Sequence, residues 1–261
     1  MKWRSALLPA LATLALAACQ TDGVGPETGE VEVAFRTVTS LQLGGGPAAS
    51  STVSGDNGTL RIDEVLMVVG KFKLEGAPDA CLEADDEDEL DDCESFEAEP
   101  FLLDLALDGS AVTVVHEQVA SGSFSELEFE VEDIEMDDDD DDPDELSDLE
   151  AILRSRVSDW PDGASMFVQG VFTPTGGDPR PFRVFVDAEV EVEMAFDEPI
   201  VVGEDNRVEI TIVLDPARWF REGDGQVLDL SAFDFDDDEE LLELEVKLKD
   251  GFTEVEVELD D

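Results

Sequence analysis

Residues 124–132 read Phe-Ser-Glu-Leu-Glu-Phe-Glu-Val-Glu. Leu127, Phe129 and Val131 alternate with Glu126, Glu128, Glu130 and Glu132. A period of two places successive side chains on opposite faces of an extended chain, so this stretch is a strand with one apolar and one ionised face. The same pattern recurs on both sides of it. Val31, Val33 and Phe35 begin one strand, and Val208, Ile210, Ile212 and Leu214 form another. Val184, Val186, Ala188, Val190, Val192 and Met194 read as one long strand. Leu244, Val246 and Leu248 are expected to pair with Val255, Val257 and Leu259 as a hairpin about Asp250-Gly251. Residues 60–74, 101–107, 112–115 and 166–172 bring the total to about ten strands. Apolar inward and acidic outward faces suit antiparallel sheets with one wet side. The expected fold is mainly β: an antiparallel β-sandwich with one short connecting helix.

That helix is expected over residues 144–157, where Leu146, Leu149, Ile152, Leu153 and Val157 share one helical face. Pro143 stands at its start, acidic residues precede it, and Trp160-Pro161-Asp162-Gly163 ends it. Residues 44–58, rich in Gly and Ser, read as a flexible loop between the first two strands. The body spans residues 30–261. It divides into possible halves, 30–136 and 164–261, joined by the acidic run and helix of 137–163.

The chain has 261 residues, with 15 Lys and Arg against 69 Asp and Glu, for a formal net charge of -54. Such charge could signal disorder, but 42% hydrophobic residues are enough for a buried core. The charge excludes nucleic acid as a partner, because phosphate backbones are bound by clustered Lys and Arg. It also opposes adsorption to an anionic membrane through protein charge.

The N-terminus supplies another route to a membrane. Lys2 and Arg4 precede an apolar run over residues 6–18, shorter than the ~20 residues a spanning helix needs. Residues 1–18 therefore read as a secretory signal. The run ends in Leu16-Ala17-Ala18-Cys19, which resembles the bacterial lipobox. The resemblance implies that Cys19 is acylated, palmitate included, and becomes the first residue of the mature lipoprotein. Gln20 in place of Asp implies the outer membrane. Loss of Lys2 and Arg4 would take the charge from -54 to -56. Residues 19–29 comprise the lipidated Cys and a polar Gly/Pro tether.

Cys81 and Cys93 remain. Two thiols of an exported chain, twelve positions apart, are expected to form a disulfide. It would clamp an acidic surface loop and stabilise the fold by ~3 kcal/mol in the chain-entropy account.

Chemistry-bearing residues are few. His116 is the one histidine, and a nucleophile elbow of the Gly-x-Ser-x-Gly kind is absent from the sequence. No catalytic activity is expected, and no cofactor beyond weak calcium. Asp234, Asp236 and Asp238 fit the first three ligand positions of an EF-hand loop and Glu245 the last, but Glu239 stands where the loop requires Gly. No specific metal site follows. Trp160 and Trp219 are the remaining candidates, either as an exposed platform for carbohydrate or as plugs at the ends of the core.

Three stretches resemble segments of β-sandwich domains in bacterial surface lipoproteins that lack an assigned activity. They are Glu99-Pro100-Phe101-Leu102-Leu103-Asp104-Leu105, Ser121-Gly122-Ser123-Phe124-Ser125-Glu126-Leu127-Glu128-Phe129, and Asp215-Pro216-Ala217-Arg218-Trp219-Phe220. In those families the middle segment usually carries Tyr where Phe124 stands. The expectation is a membrane-anchored acidic lipoprotein serving as a non-catalytic surface or periplasmic binding or structural module. The alternatives are a carbohydrate-binding or adhesion module and a calcium-binding surface protein, with a glycan or a protein as partner.

Overall fold

A computed structural model describes residues 28–38, 50–77, 95–133, 143–203, 206–238 and 240–260. The expected signal at 1–18, Cys19, most of the expected tether, Cys81, Cys93 and the acidic run of 137–142 lie outside the described residues. The chain is mainly β. Its strands are β1 (Thr28–Thr37), β2 (Ser51–Gly55), β3 (Gly58–Gly76), β4 (Phe96–Ala98), β5 (Phe101–Asp104), β6 (Ala111–Ala120), β7 (Gly122–Val131), β8 (Met166–Pro174), β9 (Arg180–Asp187), β10 (Val190–Val202), β11 (Arg207–Leu214), β12 (Leu242–Glu243) and β13 (Phe252–Asp260). The helices are α1 (Pro143–Arg156), α2 (Pro216–Trp219), α3 (Phe235–Asp238) and α4 (Glu245–Lys249).

One sheet has the order β13-β11-β1-β6. Its inner face carries the expected alternation: Val31, Val33 and Phe35 of β1 lie beside Val208, Ile210, Ile212 and Leu214 of β11, all buried. β1 and β11 run parallel, and so do β9 and β12, so the expectation of purely antiparallel sheets is corrected. A long excursion through the second sheet separates β1 from β11 in sequence, and such a crossover lets two strands run parallel side by side.

The second sheet is built on the 19-residue β3. A strand has two hydrogen-bonding edges. Leu66 pairs with Asp104 of β5 and with Phe167 of β8, while Val69 pairs with Phe101 of β5 and with Val131 of β7. Hence β7 and β8 lie end to end along one edge of β3, with β2, β5 and β4 along the other. β9 and β10 continue the ladder outward, since Met166 faces Val186 and Val131 faces Val190. The expected long strand through 184–194 is therefore two nearly collinear strands, broken at Ala188-Glu189. α1 is inserted where the β7–β8 line is interrupted.

The insertion explains why Val65, Leu66, Met67, Val68 and Val69 are all fully buried. Val65, Met67 and Val69 face the main core, which draws on the inner faces of both sheets. Leu66 and Val68 face a second cluster with Leu149, Leu153 and Val157 from α1, plus Trp160, Phe167 and Phe185. The expected helix is thus present within a residue of its bounds. Ile152, however, is 50% exposed rather than facing the sheet.

Two other expectations are corrected. Residues 51–55 of the expected Gly/Ser loop form β2, which pairs with β3 across Asp56-Asn57. The Asn57 side chain holds that turn by donating to Val227 O at 2.7 Å and accepting from Val227 N at 2.9 Å. The hairpin of 244–248 with 255–259 is not formed. β13 pairs instead with β11, and α4 occupies the preceding stretch. Leu244 and Leu248, one helical turn apart, are both buried. The helix also brings Leu248 O to 2.9 Å from the Trp219 indole N–H, which donates to it.

Candidate binding groove

β10 and β13 lie at edges of different sheets. Between them runs a groove of about 1130 Å³. Its floor is apolar because both strands turn their alternating residues toward the core: Val192, Phe196 and Ile200 are buried, while Phe252, Val255 and Val257 are half-buried. Phe252 is held by ring contacts with Phe129 (4.9 Å between centroids) and Trp219 (6.2 Å). The rim is acidic, with Glu193, Asp197, Glu198 and Glu254 against the single cation Lys249.

β10 departs from regular pairing at the groove. Its register with β7 shifts between Ala195 and Ile200. β13 is regular, with one shift next to Leu214. Its other face presents Glu254, Glu256, Glu258 and Asp260, and Arg36 Nη2 donates to both carboxylate oxygens of Glu256 at 2.6 Å. Further along that sheet Arg207 pairs with Glu32 and Glu30. Thr113 donates to Glu32 at 2.8 Å; that bond, ahead of the Arg207 guanidinium, holds the Glu32 carboxyl below the usual glutamate range.

The outer face of the other sheet is a second acidic field. Glu128, Glu130 and Glu191 bring carboxylate oxygens within 4.8 Å of one another. Lys71 donates to Glu128 at 3.0 Å and to Glu130 at 3.1 Å, and these bonds hold its ammonium above the usual lysine range. The cluster thus already contains a cation. Burial raises the Glu126 carboxyl, and the neighbouring charges of Glu193, Glu75 and Glu128 raise it further.

The residues singled out from sequence are dispersed. Trp160 is 8% exposed and donates to Ala164 O at 3.0 Å, edge-on to Phe185. Trp219, fully buried, ends α2, whose N-terminus is capped by the Asp215 side chain. Both indoles are core plugs on opposite sides of the second sheet, so the two do not form an exposed carbohydrate platform. Asp234 accepts from Arg183 N at 3.3 Å and from Asp236 N at 3.4 Å. Asp236 pairs with the Arg183 guanidinium at 2.7 Å, and Asp238 ends α3. Asp234 and Asp236 thus tie α3 to β9 rather than forming a calcium loop. Glu245 lies in α4, not in a strand. His116 is exposed on β6, with Nε2 3.2 Å from Glu30. Cys19, Cys81 and Cys93 lie outside the described residues.

Sequence reasoning missed the groove, because a free edge depends on which strands fail to meet. It also missed an acidic recess of about 290 Å³ bounded by Asp63, Glu64, Asp104 and Asp108. The recess lies at a register shift of β3 against β8, where Arg61 holds Asp63 and Arg156 holds Glu64 and Asp104.

No family model matches the chain, and no curated protein matches it. Among solved structures it is similar to MbnP from Methylosinus trichosporium. The two are 17% identical, the match covers 70% of this chain and 76% of that one, and the TM-score is 0.33. No helix among the described residues is long and apolar enough to cross a membrane.

Proposed function

We propose that this chain is a lipid-anchored acidic lipoprotein of the outer membrane, and that its β body is a non-catalytic binding module. The observation that carries the binding reading is the groove between β10 and β13, which combines an apolar floor, edge strands and a charged rim. Concave apolar sites ringed by a few polar groups are where proteins take ligands. The finer reading of the fold is a sandwich, supported by one apolar cluster that draws on Val33 and Ile210 of one sheet and on Phe72 and Val168 of the other.

Anchoring is supported by the lipobox-like Leu16-Ala17-Ala18-Cys19. Several acyl chains, each worth ~0.8 kcal/mol per buried CH₂, hold a protein where one chain does not. β1 begins at Thr28, so eight residues separate Cys19 from the β body, and at no more than ~3.5 Å each they keep that body near the headgroups. The body's own charge opposes contact with anionic lipid, so the lipid does the holding. In the oxidising compartment such a protein occupies, Cys81 and Cys93 form a disulfide.

Detergent phase partitioning of the full chain tests the reading. Wild type is expected in the detergent phase and Cys19→Ser in the aqueous phase. Wild type in the aqueous phase would overturn the anchor.

A further inference from the structure

We propose that the groove takes an extended segment of another polypeptide, with apolar residues alternating with Lys or Arg, and that this segment adds as a strand to the free edge of β13. The proposal rests on the binding-module reading and names the chemistry of the partner.

β13 is the better template of the two edges. It is nine residues long and pairs with β11 from Asp260 to Phe252. Among the described residues no strand pairs with its other edge. Such an edge presents a row of backbone donors and acceptors ready for another chain. β10 offers a poorer row, because its register shifts after Ala195 and Pro199 has no N–H.

The two faces of β13 specify the partner. On one face Val255 and Val257 lie opposite Ile212 and Ile210, and Leu259 lies opposite Val208. Ile212, Ile210 and Val208 are fully buried, whereas Val255 and Val257 are half-buried and Leu259 is 55% exposed. An added strand with an apolar residue at every second position would extend the core over them. On the other face stand Glu254, Glu256, Glu258 and Asp260, of which Arg36 engages Glu256. The intervening residues of an added strand fall beside this row, where opposite charges stabilise cross-strand pairs.

The same row excludes other occupants. A second copy of β13 would set carboxylates against carboxylates, which is destabilising. The acidic runs of this chain, such as residues 137–142, carry the same sign and are repelled too. A net charge of -54 also steers basic segments toward the body.

The probe is a nine-residue fluorescent peptide of alternating Val and Lys, titrated into the full chain in detergent and followed by anisotropy. Two further peptides carry N-methyl groups on either the Val or the Lys residues, with side chains and charge unchanged. Successive N–H groups of a strand point to opposite edges, so one methylation pattern is expected to abolish binding and the other to leave it. Hydrogen exchange of the β13 amides should slow on binding of the unmodified peptide. Glu254→Lys with Glu258→Lys, both at exposed positions, should weaken binding tenfold or more.

Equal binding of both methylated peptides would reduce the effect to charge attraction and overturn the proposal. So would equal binding of a Val/Asp peptide, or self-association of the chain through β13. Detergent partitioning reads Cys19 and not the groove, so failure of the anchor and failure of the proposed partner are separate results.

Discussion

The hydroxyl of Ser165 accepts a hydrogen bond from the backbone N–H of Ala188 at 3.0 Å. It donates to Val186 O at 3.1 Å, and the Ser165 backbone bonds Val186 O and Val68 N at 2.9 and 2.8 Å. Ser165 is fully buried. It thus stitches β3 to the β9–β10 break, just after the α1 insertion returns to the sheet. Ser165→Ala leaves the Ala188 N–H without that partner in a dry site, which costs about 1–3 kcal/mol. For a chain of this size the melting temperature should fall by about 2–4 °C per kcal/mol. Thermal unfolding checks this, and an unchanged midpoint would contradict it.

Gly170 marks a second close approach. A Cβ there would sit 2.0 Å from Arg61 O, a backbone atom that cannot swing aside. Gly170→Ala should destabilise by at least the ~1–3 kcal/mol typical of overpacking. Gly223→Ala is the control, because nothing lies within 4 Å of its Cβ position. Denaturant midpoints should separate the two variants clearly.

Glu126 gives a pH dependence of definite sign. Burial first, then Glu193, Glu75 and Glu128, raise its folded pKa above the unfolded value. The native state therefore holds the proton more tightly, and this contribution to stability is lost as pH rises through the folded pKa. Glu126→Gln should stabilise at pH 7, by a degree or so in melting temperature. The gain should vanish below the unfolded glutamate value of about 4.3, where both states of the wild type are protonated. A gain of equal size at both pH values would contradict the electrostatic cause.

Acid-rich faces on both sheets make salt a further test. Folding concentrates the charge, so repulsion is stronger in the native chain, and the Debye length shrinks from ~30 Å at 0.01 M to ~3 Å at 1 M. The melting temperature should rise by several degrees over that range. Calcium should add little once the salt is high, because Lys71 already bridges Glu128 and Glu130, and Arg183 already holds Asp236. A rise with calcium at 1 M salt would mark a specific site, through the added stability of ligand binding to the native state.

Much of this architecture can be read from the sequence where faces are simple. Leu127, Phe129 and Val131 are buried and their glutamates are not, so period two located β7 directly. Val65, Leu66, Met67, Val68 and Val69 carry a subtler signal, since an unbroken apolar run means a strand covered on both faces. Leu244 and Leu248 misled because a spacing of four also fits two strand steps, and their helix is decided by the pairing of β13 with β11. Trp219 and Trp160 could not be assigned to core or surface without knowing what lies over them. The groove was invisible for the same reason: Val255 and Val257 look like any strand until the missing neighbour is known.

The proposed anchor at Cys19 sets where the binding module works, and the intact mass of the mature chain tests it most directly. Protein extracted from membranes should lack residues 1–18, begin at Cys19 and carry the added mass of its acyl chains. A mature chain that begins elsewhere, or one with Cys19 unmodified, would contradict the account.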